Sequence, residues 1–123
     1  MMRTHKDLDI WKEGIELVKL VYKLTADFPD SEKFGLVSQM RRCVISIPSN
    51  LAEGAARSGK KEFLQFCYIA LGSLSELETQ IIISKELEFI NSENYLKLSE
   101  QVDTIRKKLL NFIKYLKGKT NEK

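Results

Sequence analysis

Gly35-Leu36-Val37-Ser38-Gln39-Met40-Arg41-Arg42, continuing through Ile47-Pro48-Ser49-Asn50-Leu51-Ala52-Glu53-Gly54 and answered by Ala70-Leu71-Gly72-Ser73-Leu74-Ser75-Glu76-Leu77-Glu78, decides the fold. Leu36, Met40, Cys43 or Val44, Ile47 and Leu51 recur at helical spacing, with Ser38, Arg42, Ser46, Ser49, Glu53 and Arg57 on the opposite face. This is an amphipathic helix over about 32–57. It carries a proline, which removes a donor and crowds the preceding turn. The apolar rhythm keeps its phase across Pro48, so a kink rather than a break is expected there, with Ser46, Ser49 or water meeting the freed Val44 carbonyl.

Outward from this helix the pattern repeats. Leu8, Trp11, Ile15, Val18, Tyr22 and Thr25 mark a first helix over about 8–28, and Leu17, Val21, Leu24 and Phe28 widen its apolar face. Phe28-Pro29-Asp30-Ser31 supplies a stop and a turn, and Ser58-Gly59 links the second helix to a third over about 60–89. That link is short enough to set the two antiparallel. Phe63 through Leu71 is apolar almost all the way round, so a cover beyond the helix's own bundle is expected for it. Phe63, Phe66, Ile69 and Gly72 are the candidate oligomer contacts, with Gly72 and Ser73 as a notch for close backbone approach. Asn91-Ser92 caps a fourth helix over about 92–117, where Tyr95, Leu98, Val102, Ile105, Leu109, Phe112 and Leu116 keep heptad spacing. Residues 118–123 read as a frayed tail. One all-α domain follows: an antiparallel up-down-up-down four-helix bundle spanning 1–123.

Composition narrows the function classes. Of 123 residues, 43% are apolar and 30% charged, the balance of a soluble globular domain. The N-terminus lacks a secretion signal's apolar core and no run reads as long enough to span a membrane, so the expected location is cytoplasmic, with no membrane partner. Cys43 and Cys67 fit buried free thiols. The sole histidine, His5, precedes the first helix, which leaves neither a Glu-x-x-His di-iron site nor a base to activate a cysteine. Gly54, Gly59 and Gly72 are too isolated to form a phosphate loop. No catalytic residue, metal or cofactor is therefore expected.

Two polar groupings stand out. Glu53, Glu76 and Glu78 with Arg42, Asn50 and Arg57 suggest an internal network of satisfied charges, with an acidic cleft as the functional alternative. On that reading Glu53→Ala lowers stability. The net charge of +3 is unevenly spread: Lys33, Arg41, Arg42, Arg57, Lys60 and Lys61 crowd residues 31–61, and lysines enrich the fourth helix. Arg57, Lys60, Lys61, Arg106, Lys107 and Lys108 are the candidate phosphate contacts, placed at the turn between helices two and three or on the last turns of helix four. A solvated, dipole-compensating surface is the competing explanation.

Gly35-Leu36 with Gln39 and Arg42, Ser46 through Gly54, and Ala70 through Glu78 resemble the four-helix-bundle family encoded in intervening sequences of bacterial large-subunit ribosomal RNA genes, often called ribosomal-protein-like. The likeness runs from Leu8-Asp9-Ile10-Trp11 to about Leu116. A related branch is the accessory variability protein of diversity-generating retroelements, a basic ring that binds nucleic acid and a reverse transcriptase. The resemblance implies an antiparallel bundle assembling into a homopentamer without known catalytic activity. Two functions are then expected in competition: RNA or DNA binding through a basic surface, or a protein-protein scaffold without nucleic acid.

Overall fold

The computed structural model describes residues 4–121, and the side chains of all of these except 7 and 119–121. Helices α1 (Asp9–Thr25), α2 (Leu36–Ala56), α3 (Lys60–Glu86) and α4 (Ser92–Asn121) account for almost all of it, with single 3-10 turns at His5–Asp7 and Asp30–Glu32 and no strand among the described residues. Each helix touches two others, α1 on α2 and α4 and α3 on α2 and α4, which is a square bundle. Cross-contacts run in opposite chain directions. Gly14 faces Pro48 while Tyr22 and Thr25 meet Arg41, and Phe63 meets Phe112 while Lys85 reaches Tyr95. Leu17, Val21, Val44, Ile47, Leu51, Leu74, Leu77, Val102, Ile105 and Leu109 form its fully buried centre.

Helix α2 passes through Pro48 unbroken. Neither serine that was expected to serve Val44 does so. The Ser46 hydroxyl donates to the Cys43 carbonyl at 2.6 Å, and Asn50 Nδ2 donates back to the Ser46 carbonyl at 2.7 Å. The proline ring is instead used for packing: a Cβ on Gly14 of α1 would stand 3.4 Å from Pro48 Cβ. Gly54 is tighter still, because a Cβ there would meet Phe66 Cβ at 2.7 Å and Phe63 Cδ1 at 2.9 Å. Phe66 Cβ sits on the α3 backbone and cannot swing aside, so α2 and α3 come this close only because residue 54 has no side chain.

The helix ends depart from the sequence expectation in ways the local chemistry explains. Helix α1 stops at Thr25, where the side-chain hydroxyl donates to the Val21 carbonyl at 2.7 Å, and Phe28 then folds in against Phe89 at 5.4 Å. Pro29 bars helical backbone at the residue before it. Helix α2 starts at Leu36, four residues later than expected, because residues 30–35 form a turn whose Glu32 carboxylate accepts the Leu36 N–H at 3.2 Å. Helix α3 ends at Glu86 since Glu88 adopts a left-handed φ of 64°, letting the Phe89 N–H reach the Ser84 carbonyl at 2.8 Å and the Glu88 N–H reach Lys85 at 2.9 Å. That is a Schellman closure with glutamate where glycine is usual. Asn91 Oδ1 accepts the Asn94 N–H at 2.7 Å and opens α4. The expected frayed tail is helical as far as Asn121; Glu122 and Lys123 fall outside the described residues.

The structure also corrects the reading of membrane-spanning length: Lys60–Glu86 is long and apolar enough to cross a membrane by length and composition alone. In the bundle this helix packs on both α2 and α4 through Phe63, Cys67, Ala70, Leu74, Leu77 and Ile81, the stripe of a core helix.

Gly54→Ala should destabilise the chain by about 1–3 kcal/mol through overpacking against α3. Gly72→Ala, whose Cβ would meet no atom within 4 Å, should leave the protomer as stable or more so. Glu88→Gly should relieve the left-handed backbone and stabilise by about 1 kcal/mol. Chemical unfolding of the three variants checks this ordering, and equal midpoints for Gly54→Ala and Gly72→Ala would contradict it.

Candidate nucleic-acid interface

The antiparallel order brings the start of α1, the end of α2, the start of α3 and the end of α4 to one end of the bundle. Phe63 on the first turn of α3 meets Phe112 edge-on at 5.2 Å, and Lys117 Nζ lies 6.0 Å from the Tyr68 ring. Exposed Lys6, Arg57, Lys60, Lys61, Lys114 and Lys117 therefore share this end. Asp27, Asp30, Glu32, Glu86, Glu88 and Glu93 gather at the other, where Phe28 and Phe89 join the loops. A net charge of +3 thus hides an excess of basic residues at one end, offset in part by Asp9, Glu53 and Glu62, and an excess of acidic ones at the other, offset in part by Lys23, Lys33 and Lys85.

The six basic residues selected from sequence divide into two groups. Lys60, Lys61 and Lys107 are exposed without an acidic partner among the described ion pairs. Arg57 stacks 5.1 Å from the Phe66 ring and pairs with Glu53 at 2.8 Å, with Glu62 at 3.9 Å. Hydrogen bonding to Glu53 raises its pKa further above its ordinary value. Arg106 is held away from the basic end, forked onto Glu78 of α3 at 2.7 and 3.5 Å and bonded to Asp103 at 3.1 Å. Lys108 bonds Glu13 of α1, which raises its pKa. Arg106 and Lys108 are thus ties between helices. Lys114 and Lys117 take their place at the basic end, and pairing the last turns of α4 with the first turn of α3 is the signal that identifies them.

The expected internal network does not exist as a unit. Glu53 and Arg57 are a surface pair with side chains 53% and 44% exposed. Glu78 joins Arg106, and Asn50 bonds its own helix. Arg42 and Glu76 line an open groove of about 500 Å³ between α2 and α3 with Gln39, Cys43, Ser46 and Ser73. Glu53 and Glu76 are exposed and Glu78 is partly so, so none of the three needs a buried counter-charge.

Of the expected oligomer contacts, Phe63 is buried in the protomer's own core and Phe66 is packed over Gly54. Ile69 is half exposed and Gly72 is open, in line with exposed Tyr68, Ile82 and Ile83 on the same helix.

Both cysteines are buried, and the Cys43 thiol donates to the Ser73 carbonyl at 3.0 Å. Burial pushes both thiols up to about 12, with the charge of Glu76 adding to the effect at Cys43. At neutral pH they are protonated and poor nucleophiles. No group of three metal-ligating side chains occurs among the described residues.

A four-helix bundle with charge separated between its ends is the class these features define. The sequence profile described as 23S rRNA-intervening sequence protein matches residues 6–111, and the chain belongs to that family. Its fold is similar to that of a protein with unknown function from the S23 ribosomal protein family of Bacteroides thetaiotaomicron, with a TM-score of 0.77 and 24% identity over 85% of this chain and 95% of that one. No curated protein matches the chain at a significant level.

Glu53→Ala should leave the unfolding midpoint close to wild type, reversing the sequence expectation, whereas Arg106→Ala should cost about 1 kcal/mol because it unties α3 from α4. The thiols add a pH signature. Their native pKa values exceed the free value of 9.0, so the unfolded state ionises first and stability should fall as pH rises from about 9 towards 12. Cys67→Ala should flatten that alkaline slope in pH-dependent unfolding, and an unchanged slope would remove Cys67 as its source.

Proposed function

We propose that this protein is a non-catalytic, cytoplasmic homo-oligomer, pentameric in keeping with its family resemblance, whose basic end holds RNA or DNA through backbone phosphates. The observation that carries the reading is the gathering at one end of Lys6 from the first 3-10 turn, Arg57 just past α2, Lys60 and Lys61 from α3, and Lys114 and Lys117 from α4, with Lys60 and Lys61 free of acidic partners among the described residues. Long, unpaired lysine side chains neutralise phosphates at little desolvation cost and read no base edge, so binding is salt-dependent and nearly sequence-blind. Assembly multiplies the patch. Support for assembly comes from the outer side of α3, where Tyr68, Ile69, Ile82 and Ile83 are exposed around the open backbone at Gly72.

Fluorescence anisotropy with a labelled mixed-sequence RNA tests the proposal. Affinity should fall at least 10-fold between 50 and 200 mM salt, on the order expected for several phosphate contacts. Lys60→Glu with Lys61→Glu should weaken binding further and lower the salt slope, whereas Lys107→Glu should do less. Salt-insensitive or absent binding would overturn the reading and favour a protein scaffold built on the apolar face of α3.

A further inference from the structure

Phe34 is 89% exposed, the highest value among the large apolar side chains of the described residues. It is not on a loose segment. The Lys33 N–H bonds the Asp30 carbonyl at 3.1 Å, the Gly35 N–H bonds the Glu32 carbonyl at 3.1 Å, the Glu32 carboxylate takes the Leu36 N–H, and the Gly35 carbonyl accepts the first helical bond of α2 from Gln39 at 3.0 Å. A phenyl ring is thus held in water by a turn with its backbone groups paired on both sides. Fixing an apolar group in this way lowers the entropy cost of inserting it into a partner. Lys33 stands 5.6 Å from the ring, and Asp30 and Glu32 make the surrounding turn acidic.

The same chain carries a matching recess. Between α1 and α2, Trp11, Ile15, Val18, Ile45, Pro48 and Ala52 line an open groove of about 310 Å³, with polar groups supplied by His5 and Ser49. Ile45 is 41% exposed on its edge. Lys12 follows Trp11, and Arg42, which also borders the α2–α3 groove, precedes Ile45 by one turn; both are exposed and neither has an ion-pair partner among the described residues, whereas the neighbouring Glu16 and Glu53 are paired with Lys19 and Arg57. The rim is basic where the turn around Phe34 is acidic. Phe34 cannot fill this groove within its own chain, because it precedes α2 and Ile45 and Ala52 lie roughly 14–24 Å along that helix from its first residue, Leu36.

We infer that Phe34 of one copy inserts into the Trp11–Ile45–Pro48 groove of a second copy. Knob and recess are different patches, so the contact is heterologous: each copy gives its ring to one neighbour and receives the ring of another, which produces a closed ring or a filament rather than a two-fold dimer. Asp30 and Glu32 then approach Lys12 and Arg42 across the joint, fixing its polarity. The inference rests on the homo-oligomer reading and specifies its interface.

Light-scattering mass of the full chain as a function of concentration, for wild type and Phe34→Ser, is the test. Apart from the exposed approach of Lys33 to the ring, the substitution removes no internal contact among the described residues, so its unfolding midpoint should stay close to that of wild-type protein held dissociated by dilution. Wild type should assemble, and Phe34→Ser should need at least 10-fold more protein to do so. An assembled Phe34→Ser at wild-type concentrations would overturn the Phe34 interface while leaving oligomerisation standing; a wild type that is monomeric throughout would overturn both. As a second readout, Phe34→Cys and Ile45→Cys variants should form a disulfide-linked dimer when mixed and oxidised, since native Cys43 and Cys67 are buried. Failure of the mixture to cross-link more than either variant alone would equally overturn the inference.

Discussion

Everything in this bundle is referred to the close approach of α2 and α3 at Gly54. With no Cβ at that position, the backbone of α2 lies against Phe63 and Phe66, close enough that any side chain there would overlap Phe66 Cβ. Phe63 is thereby pushed into the core, where it meets Phe112 of α4, and Phe66 is left beside Arg57. A single missing methyl thus sets the spacing of the α2–α3 pair, the seat of α4 and the position of the first basic side chain at that end. Pro48 and Gly14 do the same between α1 and α2, with milder geometry.

The separation of charge follows from topology. Lysines of α4 increase toward its C-terminus, where they complement the helix dipole, and α3 opens with Lys60-Lys61. In an antiparallel bundle those two segments are neighbours, so charge gradients that are mild along the chain add up in space. The acidic end arises in the same way from the loops after α1 and α3. Long-range attraction of a polyanion depends on that distribution more than on net charge.

Much of the fold was legible because apolar periodicity survives every local irregularity. Leu36, Met40, Ile47 and Leu51 stay in phase across Pro48, and Leu98, Val102, Ile105 and Leu109 hold α4 without interruption. Helix ends were less legible, since they are set by side-chain hydrogen bonds and by backbone conformations open to many residue types. Glu88 in the left-handed region and Glu32 reaching Leu36 leave no composition signal. The charged groups misled most. Glu53, Glu76 and Glu78 looked internal because they neighbour core positions in sequence, but a helix rotates each successive residue by 100°, and all three face outward far enough to meet water or a surface arginine. Arg106 and Lys108 looked free for the opposite reason: their partners, Glu78 and Glu13, lie on other helices.

Phosphate binding at the basic end can be read from backbone NMR of the labelled protein titrated with a short single-stranded RNA at low salt. Shifts should concentrate on residues 57–61 and 112–117, which converge only in the folded bundle, and should vanish when salt is raised. Shifts centred on the acidic end, around residues 27–33 and 86–93, or no shifts at saturating RNA, would contradict it.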